Sequence, residues 1–260
     1  MTKTGIGENI PAPNRAAHTT KPTTPSPAPR ATDGRSERKP LSSAHEDYLK
    51  AVYVLQSQGI DVTNSALANH LGVSPASATN MVKKLADLKL LHYEPYQSIR
   101  LTTGGERVAL EVLRHHRLLE LYLHQELKLP WDQVHAEAEK LEHVISEALE
   151  DAIALALGHP EVDPHGDPIP SKKGKIDTIQ GLLLSEAELN RPYRLARVLM
   201  QEEDRLRYLG ALGLFPNAVV TLLERAPFEG PLLIDVNGVH HALAYDMAKL
   251  LLVNDPTGEK

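Results

Sequence analysis

The stretch of residues 63–101 constrains the fold more than any other part of the sequence, because its capping and turn residues occur at closely defined spacings. A first short helix can end at Gly72, and Ser74 can cap a second helix that starts with proline. Two short helices joined by such a turn are typical of a helix-turn-helix. Residues 90–102 then predict two short strands around a polar turn. Together with a capped helix at 42–58, this order predicts a winged helix.

The second of these short helices has the side chains of a DNA-recognition helix, because its first turn carries small polar groups. Asn80 can pair with adenine through two hydrogen bonds, whereas Lys83 and Lys84 suit phosphates. The net charge is −6, but residues 71–117 hold seven Lys or Arg and four Asp or Glu, giving +3. Winged helices also bind proteins, so an interaction module stays open as the alternative. The predicted DNA contacts are Ser74, Ala76, Ser77, Asn80, Lys83, Lys84 and Arg100.

Amino-acid composition indicates which kinds of segment and site this chain can contain. Residues 1–40 contain seven of the 19 prolines and many Ser, Thr and Ala residues, which predicts a disordered tail. We interpret it as a solubilising or inert extension, and weak, sequence-independent DNA contact through its basic residues is the alternative. The absence of cysteine excludes disulfides and cysteine-based zinc frameworks. No segment is apolar for long enough to span a membrane or to form a signal-peptide core, so we expect a cytoplasmic protein.

Two predicted helices, at residues 104–127 and 131–157, carry potential metal ligands. At about 100° per residue, the four ligands of the second helix share an arc of roughly 100° on one face. Apolar residues are interleaved with them, so this face can be partly buried, and buried like charges need a counter-ion. Spacing alone leaves both a metal site and a solvated acidic face open. The six candidates are His116, Glu120, His135, Glu139, Glu142 and His143.

The remaining sequence predicts a connector and a small β domain. Residues 158–175 are rich in Pro and Gly, and we interpret them as a rigid connector. From Arg191 onward, short strands and one helix predict a small β-barrel of about 70 residues. The two ligand-bearing helices have more apolar surface than a monomer needs, which favours a helical dimerisation domain. The connector contains potential ligands that we set aside, namely His159, Asp163, His165 and Asp167.

The order of these parts and four motifs resemble the diphtheria-toxin-repressor family of metal-dependent transcriptional regulators. The resemblance covers about residues 42–255 and implies a mainly α fold with a small β portion. The motifs are EDYL at 46–49, HRLLE at 116–120, HAEAEKLEH at 135–143 and DPHGDPIP at 163–170. The implied domains are a winged-helix DNA-binding domain at 41–103, a helical metal-binding and dimerisation domain at 104–175, and a small β-barrel of Src-homology type with a preceding linker at 176–260.

The resemblance also implies two metal sites. The primary site consists of Asp47, Glu139, Glu142 and His143. The ancillary site consists of His116, Glu120 and His135. Relatives with a barrel add ligands from it, and the corresponding candidates in this chain are Gln201, Glu202 and Asp204.

This donor set resembles the manganese-responsive branch, because iron-responsive relatives have Met and Cys where this chain has Asp47 and Glu139. Relatives without a barrel have an acid one turn after Asp47, where this chain has Lys50, so we expect two separate sites rather than a paired-metal centre. We expect a Mn(II)-dependent regulator of metal homeostasis that binds palindromic double-stranded DNA operators as a homodimer and does not act on membranes. Fe(II) is the alternative metal.

Two other classes of protein stay open. A carboxylate-bridged metalloenzyme of the helical type usually has Glu-x-x-His on two helices, and this chain lacks that arrangement. No nucleophile and base stand out either, so we expect no catalytic residues and no enzyme. A metal-independent winged-helix adaptor is the second alternative.

Overall fold

A computed structural model describes residues 41–95 and 97–256 of the chain. The tail predicted for residues 1–40 lies outside the described residues. Helices dominate the first part of the described chain and strands the second, which confirms the mainly α class with a smaller β portion. None of the described helices combines the length and the apolar character needed to cross a lipid bilayer.

The N-terminal elements form the predicted winged helix. Thr63 caps the second helix by accepting a hydrogen bond from Ala66 N, and Ser74 caps the third by accepting one from Ser77 N. Gly72 ends the second helix in the left-handed region, at φ 64°. The two short strands pair in antiparallel fashion as the wing. These elements are α1 (Ser43–Ser57), α2 (Asn64–Leu71), α3 (Pro75–Asp87), β1 (Leu91–His92) and β2 (Arg100–Leu101).

The helical region follows the wing directly. It consists of α4 (Thr103–Gln125), α5 (Val134–Leu141) and α6 (Glu147–Ala156). Helix α4 packs against α1 of the winged helix and against both α5 and α6. Gly105 permits a close approach to the wing, because a Cβ there would lie 2.0 Å from the backbone oxygen of Leu90. Helix α4 therefore links the winged helix to the ligand-bearing helices.

The single helix predicted for residues 131–157 is wrong, since α5 and α6 are separated by a turn at 142–146. Ser146 caps α6 by accepting a hydrogen bond from a backbone N–H of its first turn. A serine side chain stabilises a helix start more than a helix interior. The apolar periodicity continues across the turn, so it does not reveal the break. As a result, Glu142 ends α5 and His143 lies in the turn.

The C-terminal part is a six-stranded antiparallel sheet with the strand order β3-β8-β4-β5-β6-β7. The predicted closure into a barrel is wrong, because the edge strands β3 and β7 do not pair with each other in the described chain. Strand β3 spans only two residues and offers little edge for such pairing. The elements are β3 (Leu182–Leu183), β4 (Pro192–Val198), α7 (Glu203–Ala211), β5 (Val219–Arg225), β6 (Leu232–Val236), β7 (Val239–Leu243), α8 (Tyr245–Ala248) and β8 (Leu251–Asn254).

The connector between α6 and the sheet packs closely against β4. A Cβ at Gly166 would lie 2.1 Å from Ala196 O, and Gly166 has a φ of 86°, so both its conformation and its surroundings favour glycine. Val198 N donates a hydrogen bond to His165 O at 2.9 Å. On the other side, Arg117 of α4 donates to Pro168 O at 2.5 Å. The connector is thereby held between α4 and the sheet.

Candidate metal centre

Helix α1 and the α5–α6 turn bring together three of the predicted primary ligands, Asp47, Glu142 and His143. Their donor atoms all lie within 4.8 Å of one another. His143 Nε2 lies 2.8 Å from Asp47 Oδ1 and 3.3 Å from Glu142 Oε1. His143 Nδ1 lies 2.7 Å from Glu46 Oε2, a residue that the sequence analysis did not select although it directly precedes Asp47. The imidazole of His143 therefore joins the turn to α1.

The fourth predicted primary ligand, Glu139, borders this group without joining it. Its side chain is 54% exposed, and its Oε1 lies 3.6 Å from His135 Nε2 and 4.0 Å from Lys50 Nζ. Lys50 also contacts Glu142, with Nζ 2.6 Å from Oε1. A glutamate with this exposure has the freedom to turn toward either group of donors.

The predicted ancillary ligands form a second group, in which α4 contributes His116 and Glu120 and α5 contributes His135. His116 Nε2 lies 2.9 Å from Glu120 Oε1 and 3.0 Å from His135 Nδ1, and the two imidazole rings meet edge to face. His135 Nδ1 is also 3.0 Å from Glu120 Oε1. Three donor atoms thus converge on one point from two helices.

Burial and charge act in opposite directions on these groups. Burial lowers the pKa of His116, yet Glu120 beside it and hydrogen bonds to Glu120 and Glu142 raise that pKa to about 9. Burial raises the pKa of Glu142, but His116 and Lys50 outweigh it and the pKa is lowered. The pKa of Glu120 is likewise held well below its ordinary value by His116, against the effect of burial. The site therefore combines ionised carboxylates with a protonated imidazole.

A third group was missed by the sequence analysis, which set the connector aside. Asp163 and His165 of the connector meet Glu120 of α4, and all three are buried. Glu120 Oε2, Asp163 Oδ2 and His165 Nδ1 are buried atoms without a hydrogen-bond partner among the described residues. Burial, together with Asp167 and Glu120, raises the pKa of Asp163 well above its ordinary value. Only the DPHG motif pointed here, and its prolines and glycines favoured a structural interpretation.

The candidates from the sheet domain lie at different places. Gln201 Nε2 donates to Asp167 Oδ2 at 3.2 Å, so it faces the connector. Glu202 lines a cleft that Gln201 also borders. The side chain of Asp204 is 94% exposed and pairs with Arg207, and it joins none of the donor groups described above.

That cleft, of about 540 Å³, connects all three parts of the described chain. Lys50 and His70 line it from the winged helix, and His116 and His135 line it from the helical region. The sheet domain contributes Glu202 and its neighbours. The ancillary group therefore borders this cleft through His116 and His135, and Glu139 is the one predicted primary ligand that lines it.

Six of the seven predicted DNA contacts lie on helix α3 or at its N-cap, and Arg100 lies on strand β2 of the wing. All seven are exposed, and Ser74 additionally caps α3.

An apolar surface lies elsewhere, on α5, α6 and the turn between them. Its exposed members are Leu141, Val144, Leu149 and Leu155.

A winged helix joined to helices that converge on buried carboxylates and imidazoles has the parts of a metal-dependent, DNA-binding regulator. Residues 40–99 match the family described as "Iron dependent repressor, N-terminal DNA binding domain", and residues 102–171 match its "metal binding and dimerisation domain". Residues 182–255 match the FeoA domain. The chain belongs to the iron-dependent repressor family, which is the diphtheria-toxin-repressor family that its motifs resemble.

Individual relatives agree with this assignment. The chain is 30% identical over 228 residues to the iron-dependent repressor IdeR of Mycobacterium leprae, which covers 82% of this chain and 97% of that protein. It is 28% identical over 231 residues to the diphtheria toxin repressor of Corynebacterium glutamicum, covering 85% of this chain and all of that protein, 100%. A solved manganese-dependent transcriptional repressor in complex with manganese superposes with a TM-score of 0.74 at 33% identity, covering 81% of this chain and 99% of that one. These relatives are transcriptional repressors rather than enzymes, and this agrees with the expectation that the chain is not an enzyme.

Proposed function

We propose that this protein is a Mn(II)-activated repressor in which the metal links the winged helix to the helical region. The observation that carries the proposal is the convergence of Asp47 from α1 with Glu142 and His143 from the α5–α6 turn. A ligand that binds both elements stabilises the arrangement in which they are held together. The metal therefore biases the position of the DNA-contacting elements.

The donors present fit a hard divalent ion. The primary group offers carboxylate oxygens and one imidazole, and the chain has no cysteine. Such a set suits Mn(II) or Fe(II) and gives no advantage to a soft ion. Mn(II) is favoured because none of the predicted primary ligands is a sulfur donor, and a manganese-dependent repressor is among the structural neighbours. Fe(II) is the second candidate, because the sequence relatives include iron-dependent repressors.

Each predicted ligand attaches the ion to a particular element of the fold. A bound divalent ion supplies a concentrated positive charge that neutralises the clustered carboxylates. Asp47 attaches the ion to α1, and Glu142 and His143 attach it to the turn. In the ancillary group, His116, Glu120 and His135 would hold a second ion, and Glu139 can turn toward either site. Gln201 and Glu202 are better placed than Asp204 to add ligands from the sheet domain.

The remaining predicted properties belong to the same proposal. The exposed side chains of α3 and the basic wing residue Arg100 contact double-stranded DNA. The apolar surface of α5, α6 and their turn forms a homodimer, and a two-fold dimer matches a palindromic operator. The three domains correspond to residues 41–103, 104–175 and 176–260. We place the protein in the cytoplasm, where DNA is accessible.

The test is selection of DNA fragments from a random library in the presence and absence of Mn(II), followed by binding isotherms. We expect Mn(II) to tighten binding of the selected DNA at least about tenfold, a coupling free energy of about 1.4 kcal/mol. His143→Gln should abolish this dependence. His159→Gln, a change of an exposed histidine that belongs to no donor group, is the matched control. Equal DNA affinity with and without metal would sink the proposal.

A further inference from the structure

Lys50 places a positive charge against one of the predicted metal ligands, Glu142, although a lysine cannot be expected to bind the metal itself. It lies on α1, its side chain is only 15% exposed, and its Nζ is 2.6 Å from Glu142 Oε1. The side chain of Glu142 is 1% exposed, so this ion pair is poorly screened by solvent. The other oxygen of Glu142 contacts His116 Nδ1 at 2.5 Å. Glu142 therefore has a cationic partner on each of its two oxygens.

In the part of the chain that the structure describes, Lys50 is also the sole lysine or arginine at ion-pair distance from the carboxylates of the primary site. Four carboxylates belong to the primary group or lie beside it, namely Asp47 and Glu142 as members and Glu46 and Glu139 as neighbours. Among the described residues, Lys50 is the one Lys or Arg within ion-pair distance of any of them, and their other partners at that distance are histidines. A fixed positive charge thus already compensates part of the negative charge on which a metal would depend.

A divalent ion held by Glu142 and an ammonium group on the same carboxylate repel each other. Lysine has a flexible four-carbon stem, so the ammonium can move without rearrangement of α1. Glu139 offers the nearest alternative partner, 4.0 Å from Nζ and half exposed. Loading the site therefore exchanges one cation for another on Glu142.

On this geometry we propose that Lys50 is a tethered counter-ion that competes with the metal for Glu142 and sets the metal concentration at which the protein is loaded. The inference rests on the proposed function, since it concerns the same site. It assigns Lys50 two opposing effects. The residue stabilises the metal-free protein by holding α1 to the α5–α6 turn, and it weakens metal binding by the same interaction.

The opposing effects give a test with two readouts on the full-length protein. Lys50→Met keeps the length of the side chain and removes the charge. We expect it to tighten Mn(II) binding about tenfold in calorimetry. We also expect it to lower the melting temperature in the presence of a chelator. Lys50→Gln, which keeps hydrogen-bonding capacity, should shift both quantities in the same directions.

Lys140→Met is the matched control. Lys140 lies on α5 and pairs with Glu137 at 2.7 Å, its side chain is 65% exposed, and it belongs to no donor group. The control removes one positive charge from the same region and should leave Mn(II) affinity unchanged within about twofold. If Lys140→Met also tightened Mn(II) binding about tenfold, the effect would come from net charge alone, and the inference would be overturned.

The remaining outcomes separate the two claims. Unchanged or weaker Mn(II) binding by both Lys50 variants, with normal binding by the wild type, overturns the tethered counter-ion and leaves the proposed function standing. Absence of Mn(II) binding by the wild type overturns both. Tighter binding together with a lower metal-free melting temperature supports the inference, because loss of the competing cation favours the metal and loss of the Lys50–Glu142 ion pair destabilises the metal-free protein.

Discussion

Glu142 Oε2 lies 2.5 Å from His116 Nδ1, and this contact joins the two predicted metal sites through one hydrogen bond. Glu142 belongs to the primary group and His116 to the ancillary group. A change of charge on either residue is therefore felt directly by the other. The two sites are separate in their ligands but coupled in their electrostatics.

The first prediction concerns the pH dependence of the metal-free protein. The pKa of His116 is raised from 6.5 to about 9, so its stabilising effect is fully present below pH 6.5 and is lost as the pH rises through about 9. Thermal unfolding with a chelator should therefore show a falling melting temperature across this range. His116→Gln should reduce the slope. A wild-type slope no larger than that of the variant would contradict the assignment.

The second prediction concerns proton release. His116 is protonated at neutral pH because its pKa is about 9, whereas a metal ligand must be a neutral imidazole. Filling the ancillary site should therefore release about one proton per ion. Calorimetry in two buffers of different ionisation enthalpy measures this number. Identical heats in both buffers would show that His116 does not bind the ion.

The third prediction tests the junction between α4 and the wing. A Cβ at Gly105 would lie 2.0 Å from Leu90 O, whereas the nearest atoms to a Cβ at Gly104 are 3.7 Å away. Gly105→Ala should destabilise the protein by about 1–3 kcal/mol, since backbone atoms would have to move. Gly104→Ala is the control and should be neutral or slightly stabilising. Chemical denaturation measures both, and equal effects would rule out the close approach.

The fourth prediction concerns the apolar surface. Leu155 on α6 is 69% exposed, and we place it in the dimer interface. Leu155→Glu would bury a charge there and should weaken dimerisation at least about tenfold, as measured by analytical ultracentrifugation. Val239 on β7 is 55% exposed and lies outside that surface. Dissociation by Val239→Glu, with Leu155→Glu still dimeric, would place the interface on the sheet instead.

The sequence predicted the winged helix well because its determinants are local. Thr63 and Ser74 cap helices through contacts only three residues away, and Gly72 ends a helix by its own conformation. The break at 142–146 was missed because helical periodicity runs across it, although Ser146 carried the capping signal. Local chemistry can thus be read from the chain, provided that a competing periodic pattern does not mask it.

Features that depend on distant parts of the chain were harder to predict. Closure of the sheet depends on pairing between β3 and β7, which no local pattern specifies. The meeting of Asp163 and His165 with Glu120 depends on how the connector packs against α4. The grouping of Asp47 with Glu142 and His143 came from resemblance to a family, since spacing alone left a solvated face open.

We propose above that one ion joins α1 to the α5–α6 turn. Anomalous diffraction at the manganese edge, from crystals grown with Mn(II), tests it most directly because it locates the metal and identifies it. We expect a manganese peak bounded by Asp47, Glu142 and His143. A protein whose manganese peaks all lie out of reach of Asp47 would contradict it, because the winged helix would then have no ligand at the metal.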